Sequence, residues 1–455
     1  MKTKFNQFLF SNQAIYPLVV FRILFGLTTF ISTLRFLLLG WVNLHFVNSK
    51  VQFKYYGFEW VTTLPEPVML IIHIIMLLAS LGILFGAFYR ISAMLFFVCF
   101  TYCELIDITY YLNHYYFVSL VAFLLCLVPA NRFYSIDVWL KPQLSQKTVS
   151  AWCMYIFKFQ LIIVYFFAGI AKINYDWLIN ALPLKIWLPA NDNLPVIGAW
   201  LKYDISAYVF SWAGMFFDIS VGYFLLNKKT RLWAWFAIII FHVLTGIMFQ
   251  IGVFPLVMIA STIIFFDTTT HQKIIKILRL VFTIKPKSFV DASNPKPAFF
   301  KDRLSTSLIA VFMVIWVSFQ LLFPLRYLLY DGNMFWTEQG YRFGWRVMLM
   351  EKAGTATFYV TDSATNREGV VDNAVFLNLH QEKQMAMQPD LILQYAQFLK
   401  KHYTNIGLNV TKVRAEVFVT LNAKPSQLLI NSNLNLLELT DSWKNKNWIL
   451  PFEKN

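Results

Sequence analysis

Charge is scarce in this 455-residue chain, with only 14 % of residues charged. Ordinary soluble domains carry about 25 %, so the composition argues against a soluble globular enzyme. Cysteine is nearly absent. The four present, Cys99, Cys103, Cys126 and Cys153, all lie in apolar stretches, which argues against a disulfide framework. There is no glycine-rich phosphate loop, no HExxH and no nucleophile elbow, and the Cys and His spacing offers no metal site. Internal repeats and low-complexity runs are missing too. What the chain has is apolar and aromatic: 58 % hydrophobic residues and 18 % aromatics, including 46 Phe and 15 Trp. Mean hydropathy is +0.54. That content excludes disorder and points to lipid. The net charge of +15 fits either an anionic partner or the positive-inside bias of a membrane protein.

A membrane helix needs about 20 mostly apolar residues. Nine stretches qualify, roughly 17–40, 66–88, 91–109, 112–130, 151–171, 205–226, 232–249, 251–267 and 304–328. The first lacks a small-residue cleavage site and is too long for a secretory signal, so it reads as a retained span. With the N-terminus inside, the inner loops hold 17 basic residues and the outer loops 5. Most of the positive charge is thereby explained as topology, and a nucleic-acid partner loses its support. The expected fold is a membrane all-α bundle of about nine transmembrane helices over residues 1–330. A mixed α/β, strand-rich extracytoplasmic domain follows over 331–455. There "GTATFYVTD" (354–362) and "AEVFVTLNA" (415–423) alternate like half-buried strands, and "QPDLILQYAQFLKKHY" (388–403) reads as an amphipathic helix.

Ionisable side chains within spans cost about 2.5–3.5 kcal/mol or more at the centre, so each calls for a reason. Arg22, Arg35, His73, Glu104, Asp107, His114, Lys158, Lys172, Asp218 and His242 all fall in or at the ends of spans. Two readings stand side by side: convergence on one polar cavity, or a set of interhelical ion pairs and snorkelling side chains. Arg22 with Asp107 or Glu104 is an expected structural pair. Lys172 on the structural reading is an interfacial lysine paired with Asp176, one turn on.

Seven segments carry a resemblance. They are "VFRILFG" (20–26), "YRIS" (89–92), "LNHYYFVSLVAF" (112–123), "VYFFAGIAKINYDW" (164–177), "DISVG" (218–222), "FHVLTGIMFQIGVF" (241–254) and "WTEQGYRFGW" (336–345). In this order and spacing they resemble the vitamin K-dependent gamma-glutamyl carboxylase family, whose membrane part is the HTTM domain. The resemblance runs from about residue 15 to about 440. It implies a carboxylase that oxidises vitamin K hydroquinone, or menaquinol, with O2. The strong base so formed takes the γ-proton of a peptide glutamate, and CO2 then adds. Lys172 matches the family lysine that deprotonates the hydroquinone, and His114 matches the histidine tied to the glutamate and CO2 step. Asn113, His242 and Tyr341 match positions that bind or orient substrate. Trp345 and Asp218 match as well and read as structural.

The resemblance further implies a glutamate-containing protein or peptide substrate, a quinone reductase partner and no metal. It also implies a multi-pass protein with its C-terminal domain on the extracytoplasmic side, in a bacterial cytoplasmic membrane or in the endoplasmic reticulum. The family's lysine pair is here Ala171-Lys172, and the 331–455 region has no Cys. Propeptide docking as in the animal enzyme is therefore not carried over. The alternatives are quinol epoxidation without carboxylation, and a non-catalytic transporter or lipid-binding bundle.

Overall fold

The computed structural model describes residues 2–249, 251–281 and 303–453. Long helices dominate its first part: α1 (Tyr16–Leu38), α2 (Glu66–Phe85), α3 (Tyr89–Ile106), α4 (Asn113–Leu127), α5 (Trp152–Ala171), α6 (Asp204–Leu226), α7 (Arg231–Phe249), α8 (Phe254–Thr262) and α9 (Arg303–Leu322). Among the described residues, seven helices are long and apolar enough to cross a membrane. The expectation was nine. The other two, Asn113–Leu127 and Phe254–Phe265, are apolar but short. At 1.5 Å per residue, 15 residues reach about 22 Å, against the roughly 30 Å of hydrocarbon. Apolar composition marked them as spans, but the polar start Asn113-His114 and the Val128-Pro129 end cut the first of them short.

Local chemistry sets the helix ends. Pro17 occupies the first turn of α1, where its missing N–H costs nothing. Gly86 closes α2 in the left-handed conformation at φ 63°. A Cβ there would also collide with the Arg22 guanidinium, so the hairpin between α2 and α3 needs glycine twice over. Arg22 itself donates to the carbonyls of Ala130 (3.3 Å) and Tyr134 (2.7 Å). The expected pairing of Arg22 with Asp107 or Glu104 is thus corrected. Asp107 accepts from Thr109 and Gln381, and Glu104 accepts from Ser119. The guanidinium is held by peptide carbonyls in the loop after α4, which hydropathy does not reveal.

Two short strands, β1 (Asn12–Ala14) and β2 (Thr148–Ser150), pair antiparallel at one end of the bundle. The C-terminal region holds a four-stranded antiparallel sheet of β3 (Lys352–Asp362), β4 (Arg367–Val370), β5 (Val410–Leu421) and β6 (Gln427–Leu428), in the order β4-β3-β5-β6. The helices α10 (Leu379–Met385) and α11 (Pro389–Asn405) accompany it. Both expected strands and the expected amphipathic helix are present. In β5 the residues Val413, Ala415, Val417, Val419 and Leu421 are buried in alternation, and α11 offers Leu391, Ile392, Tyr395 and Leu399 to the same core. The bundle has its own core, with Phe21, Phe96, Phe117 and Phe157 fully buried.

The loops assigned to the outside are those that meet the C-terminal region. Lys50 reaches the Val375 carbonyl, His380 lies against the Thr109 carbonyl, and Asn422 donates to Asp176. The loops assigned to the inside gather among themselves, as where Asp137 accepts from the amides of Phe88 and Tyr89. Lys285, Lys287, Lys296 and Lys301, part of the expected inner charge, lie outside the described residues. The four cysteines are free.

Candidate functional site

The segment Ala171–Trp177 is organised around the end of α5. The amide of Lys172 donates to the Gly169 carbonyl, closing the last turn. Asn174 then caps the next turn by accepting from the Trp177 amide at 2.9 Å. That turn folds Trp177 back, so its ring centroid lies 5.3 Å from Lys172 Nζ, and its indole donates to the Ser211 carbonyl on α6 at 2.8 Å. Gly169 governs the helix approach: a Cβ there would strike Ile219 and the Asp218 backbone. Because α6 comes this close, Asp218 reaches Lys172.

Lys172 is 5 % exposed and Asp218 3 %. Lys172 Nζ donates to Asp218 Oδ2 at 2.7 Å and to the Ala168 carbonyl at 3.2 Å. This corrects two expectations. Lys172 does not snorkel, and its partner is not Asp176, which accepts instead from Asn180 and Asn422. Asp218, read as structural from the sequence, is the direct ionic partner of Lys172. Sequence spacing favoured Asp176 because it is near in the chain; the α5–α6 approach is a tertiary fact.

Seven residues before Lys172, and so on the same side of α5, stands Tyr165. Its hydroxyl lies 2.8 Å from His242 Nε2 on α7. Among the described residues, the buried His242 Nδ1 has no hydrogen-bond partner. Phe254, at the start of α8, lies between the two candidate histidines, 5.7 Å from the His242 ring and stacked 5.1 Å from that of His114. Tyr165 and Phe254 were not singled out from the sequence; as ordinary aromatics in apolar runs they carried no signal.

Asn113 is committed on both sides. Its amide donates to the Arg346 carbonyl at 2.7 Å, and its carbonyl accepts from Tyr111 at 3.0 Å. It therefore ties the start of α4 to the Tyr341–Arg346 segment. Trp345 of that segment is buried and stacks on Tyr116 at 4.9 Å. Tyr341 is half-buried, its ring 6.4 Å from Phe335, and burial pushes its phenol up. Beside it, burial alone would raise the Asp390 carboxyl. The Arg342 guanidinium, 2.6 Å away, outweighs that and holds the carboxyl below its ordinary range. Lys172 with Asp218 and Tyr165 with His242 are thus two pairs, two turns apart on one side of α5; His114 neighbours the second through Phe254, and Asn113 and Tyr341 belong to the seam with the C-terminal region.

Two cavities flank this framework. One of about 370 Å³ lies between the end of α5, at Phe167, Ala171 and Asn174, and the segment from Leu325 to Arg346. The other, about 650 Å³, lies between α3, α4, α9 and the C-terminal region, lined by Glu104, Ser119, Phe123, Phe319, Arg326 and others. Among the described residues no group of three or more His, Cys, Asp or Glu side chains is placed to hold a metal ion.

No solved structure matches the chain. Two family models do. The HTTM domain model matches residues 10–269, more than half of the 455. The model for the lumenal domain of vitamin K-dependent gamma-carboxylase matches residues 305–455. Together with the seven apolar helices and the strand-containing C-terminal region, these matches assign the chain to the vitamin K-dependent gamma-carboxylase family, as a multi-pass membrane protein with an HTTM domain followed by a lumenal domain.

Proposed function

We propose that this protein couples oxidation of a vitamin K-type or menaquinone-type hydroquinone by O2 to γ-carboxylation of glutamate in a protein or peptide. The observation that carries the reading is the buried Lys172–Asp218 pair, 2.7 Å apart at the end of α5, in a chain of this family. When bound, the hydroquinone supplies, through its reaction with O2, the strong base that removes the glutamate γ-proton.

The residues suit such a substrate. A hydroquinone hydroxyl needs a proton acceptor, and the pair provides one. Burial among aromatics excludes the water that would otherwise compete. His242 Nδ1, left without a hydrogen-bond partner among the described residues, is free to hydrogen-bond substrate while Tyr165 fixes its other nitrogen. His114 serves the glutamate and CO2 step. Asn113 and Tyr341 hold the substrate-side segment at the seam. We place the boundary between the membrane and lumenal units near residue 330, with the acceptor peptide and CO2 arriving from the lumenal side and a quinone reductase returning the quinol.

Detergent-purified protein is expected to fix labelled CO2 into a Glu-rich peptide only with reduced vitamin K and O2, forming epoxide alongside. Lys172→Ala is expected to abolish both products. Epoxide without fixed label identifies a quinol epoxidase instead, and epoxide formation that survives Lys172→Ala removes Lys172 from the chemistry.

A further inference from the structure

The 650 Å³ cavity is built on the side of α4 that carries Tyr116 and Ser119, and neither Lys172, His114, His242 nor Tyr341 lines it. Its inner walls are apolar, with Phe97, Leu120, Phe123 and Phe319. The charged residues Glu338, Arg342, Asp390, Asp441 and Lys446 that also line it are ion-paired, Glu338 with Lys352, Arg342 with Asp390 and Lys446 with Asp441; two further groups differ. Glu104 accepts from Ser119 through Oε2 at 2.5 Å, while its Oε1 is buried with no hydrogen-bond partner among the described residues. Arg326 donates to the carbonyls of Phe323 (3.0 Å) and Arg342, and among the described residues it pairs with no carboxylate. So one wall presents an acceptor lacking a donor, and another presents a cation lacking an anion.

A buried carboxyl oxygen left without a partner is costly, more so if charged, and an arginine in an apolar wall is likewise costly. Glu104 and Arg326 do not satisfy one another, so a ligand that carries both complements settles both. The cavity is open to the outside of the bundle. Phe319 is 46 % exposed, and Tyr56 and Trp443, packed edge to face at 5.7 Å, also line the cavity. A ligand there has apolar chains beside α9 and a polar head at the level of the C-terminal region.

We propose that this cavity is a phospholipid site, distinct from the Lys172 centre, that takes a zwitterionic aminophospholipid of the surrounding bilayer. The primary ammonium sits on Glu104 Oε1 and the phosphate on Arg326, with the acyl chains along Phe123 and Phe319. An ammonium gives Glu104 both a donor and a countercharge, and a phosphate offers two oxygens to the planar Arg326 guanidinium.

Native mass spectrometry of the full-length protein, stripped of lipid in detergent and offered defined lipids, tests this. Dioleoyl phosphatidylethanolamine should be retained at least about tenfold better than phosphatidylcholine, which lacks N–H donors, or phosphatidylglycerol, which lacks the amine. Glu104→Gln should erase that preference, and Leu120→Trp, which fills the cavity, should remove retention of all three. Equal retention of the three head groups by the unaltered protein overturns the proposal without recourse to any variant. So does a preference that survives Glu104→Gln. Displacement of phosphatidylethanolamine by vitamin K hydroquinone in a Glu104-dependent manner would make the cavity a quinol site and overturn it equally.

Discussion

The bundle and the C-terminal region each bury a lysine against a carboxylate, and the two pairs are nearly superimposable in kind. In the bundle, Lys172 meets Asp218 at 2.7 Å, donates to a backbone carbonyl and lies 5.3 Å from the Trp177 ring. In the C-terminal region, Lys352 meets Glu338 at 2.9 Å, donates to the Trp336 carbonyl at 2.7 Å and lies 6.0 Å from the Trp336 ring. Ion-pair geometry therefore does not identify chemistry. The surroundings differ. Lys172 ends a helix, with Tyr165 and His242 two turns away on the same side; neither it nor Asp218 lines either cavity, whereas Glu338 lines the 650 Å³ one. Lys352 opens the strand β3, where burial lowers its ammonium and Glu338 only partly restores it. It fastens the Trp336–Glu338 turn to the sheet.

The largest expected effect separates these two pairs. Replacing both members, by Lys172→Met with Asp218→Leu, removes the two charges together. Folding stability should then be unchanged or raised by about 1–4 kcal/mol, while hydroquinone oxidation falls by at least about 100-fold. The matching double replacement Lys352→Met with Glu338→Leu should leave oxidation within a few-fold of the unaltered protein. Thermal melting and quinol consumption on both doubles measure this, and loss of turnover in the second double would erase the distinction.

A smaller effect concerns Arg342 and Asp390, the ion pair beside Tyr341. The folded carboxyl titrates below its ordinary 3.8. Its contribution is therefore complete above about pH 4 and lost as the pH falls through the lowered folded value. Asp390→Asn should cost about 3 kcal/mol at neutral pH, because Arg342 loses its acid, and should flatten the acid limb of the melting curve. An unchanged acid limb would show that the pair does not hold the seam. The smallest effect is at Asn113. Its two hydrogen bonds, to Arg346 and Tyr111, are worth roughly 1 kcal/mol each. Asn113→Ala should lower the melting temperature slightly and raise the KM for peptide more than it lowers kcat. A kcat effect alone would move Asn113 out of substrate orientation.

Much of the fold was legible in the chain. Hydropathy runs located the seven long helices because lipid imposes one apolar length on every span. Alternation located β3 and β5 because a half-buried strand has a period of two. The same rule counted Asn113–Leu127 and Phe254–Phe265 as full spans, since apolar composition does not record where a helix stops. At the site, Lys172, His114, His242 and Tyr341 were visible as ionisable or motif residues. Asp218 was visible and read as structural, but its pairing with Lys172 was not. Tyr165, Phe254 and the Glu104–Ser119 contact carried no distinguishing local pattern.

The sequence by itself determined membrane residence, the polarity of the loops and the family, because each depends on composition, on charge along the chain or on ordered motifs. Only the tertiary structure decided which charge meets which. Lys172 has Asp176 four residues away and Asp218 46 residues away. The nearer acid is turned toward Asn180 and Asn422, and the distant one is brought within 2.7 Å, because Gly169 lets two helices touch where a side chain would have held them apart.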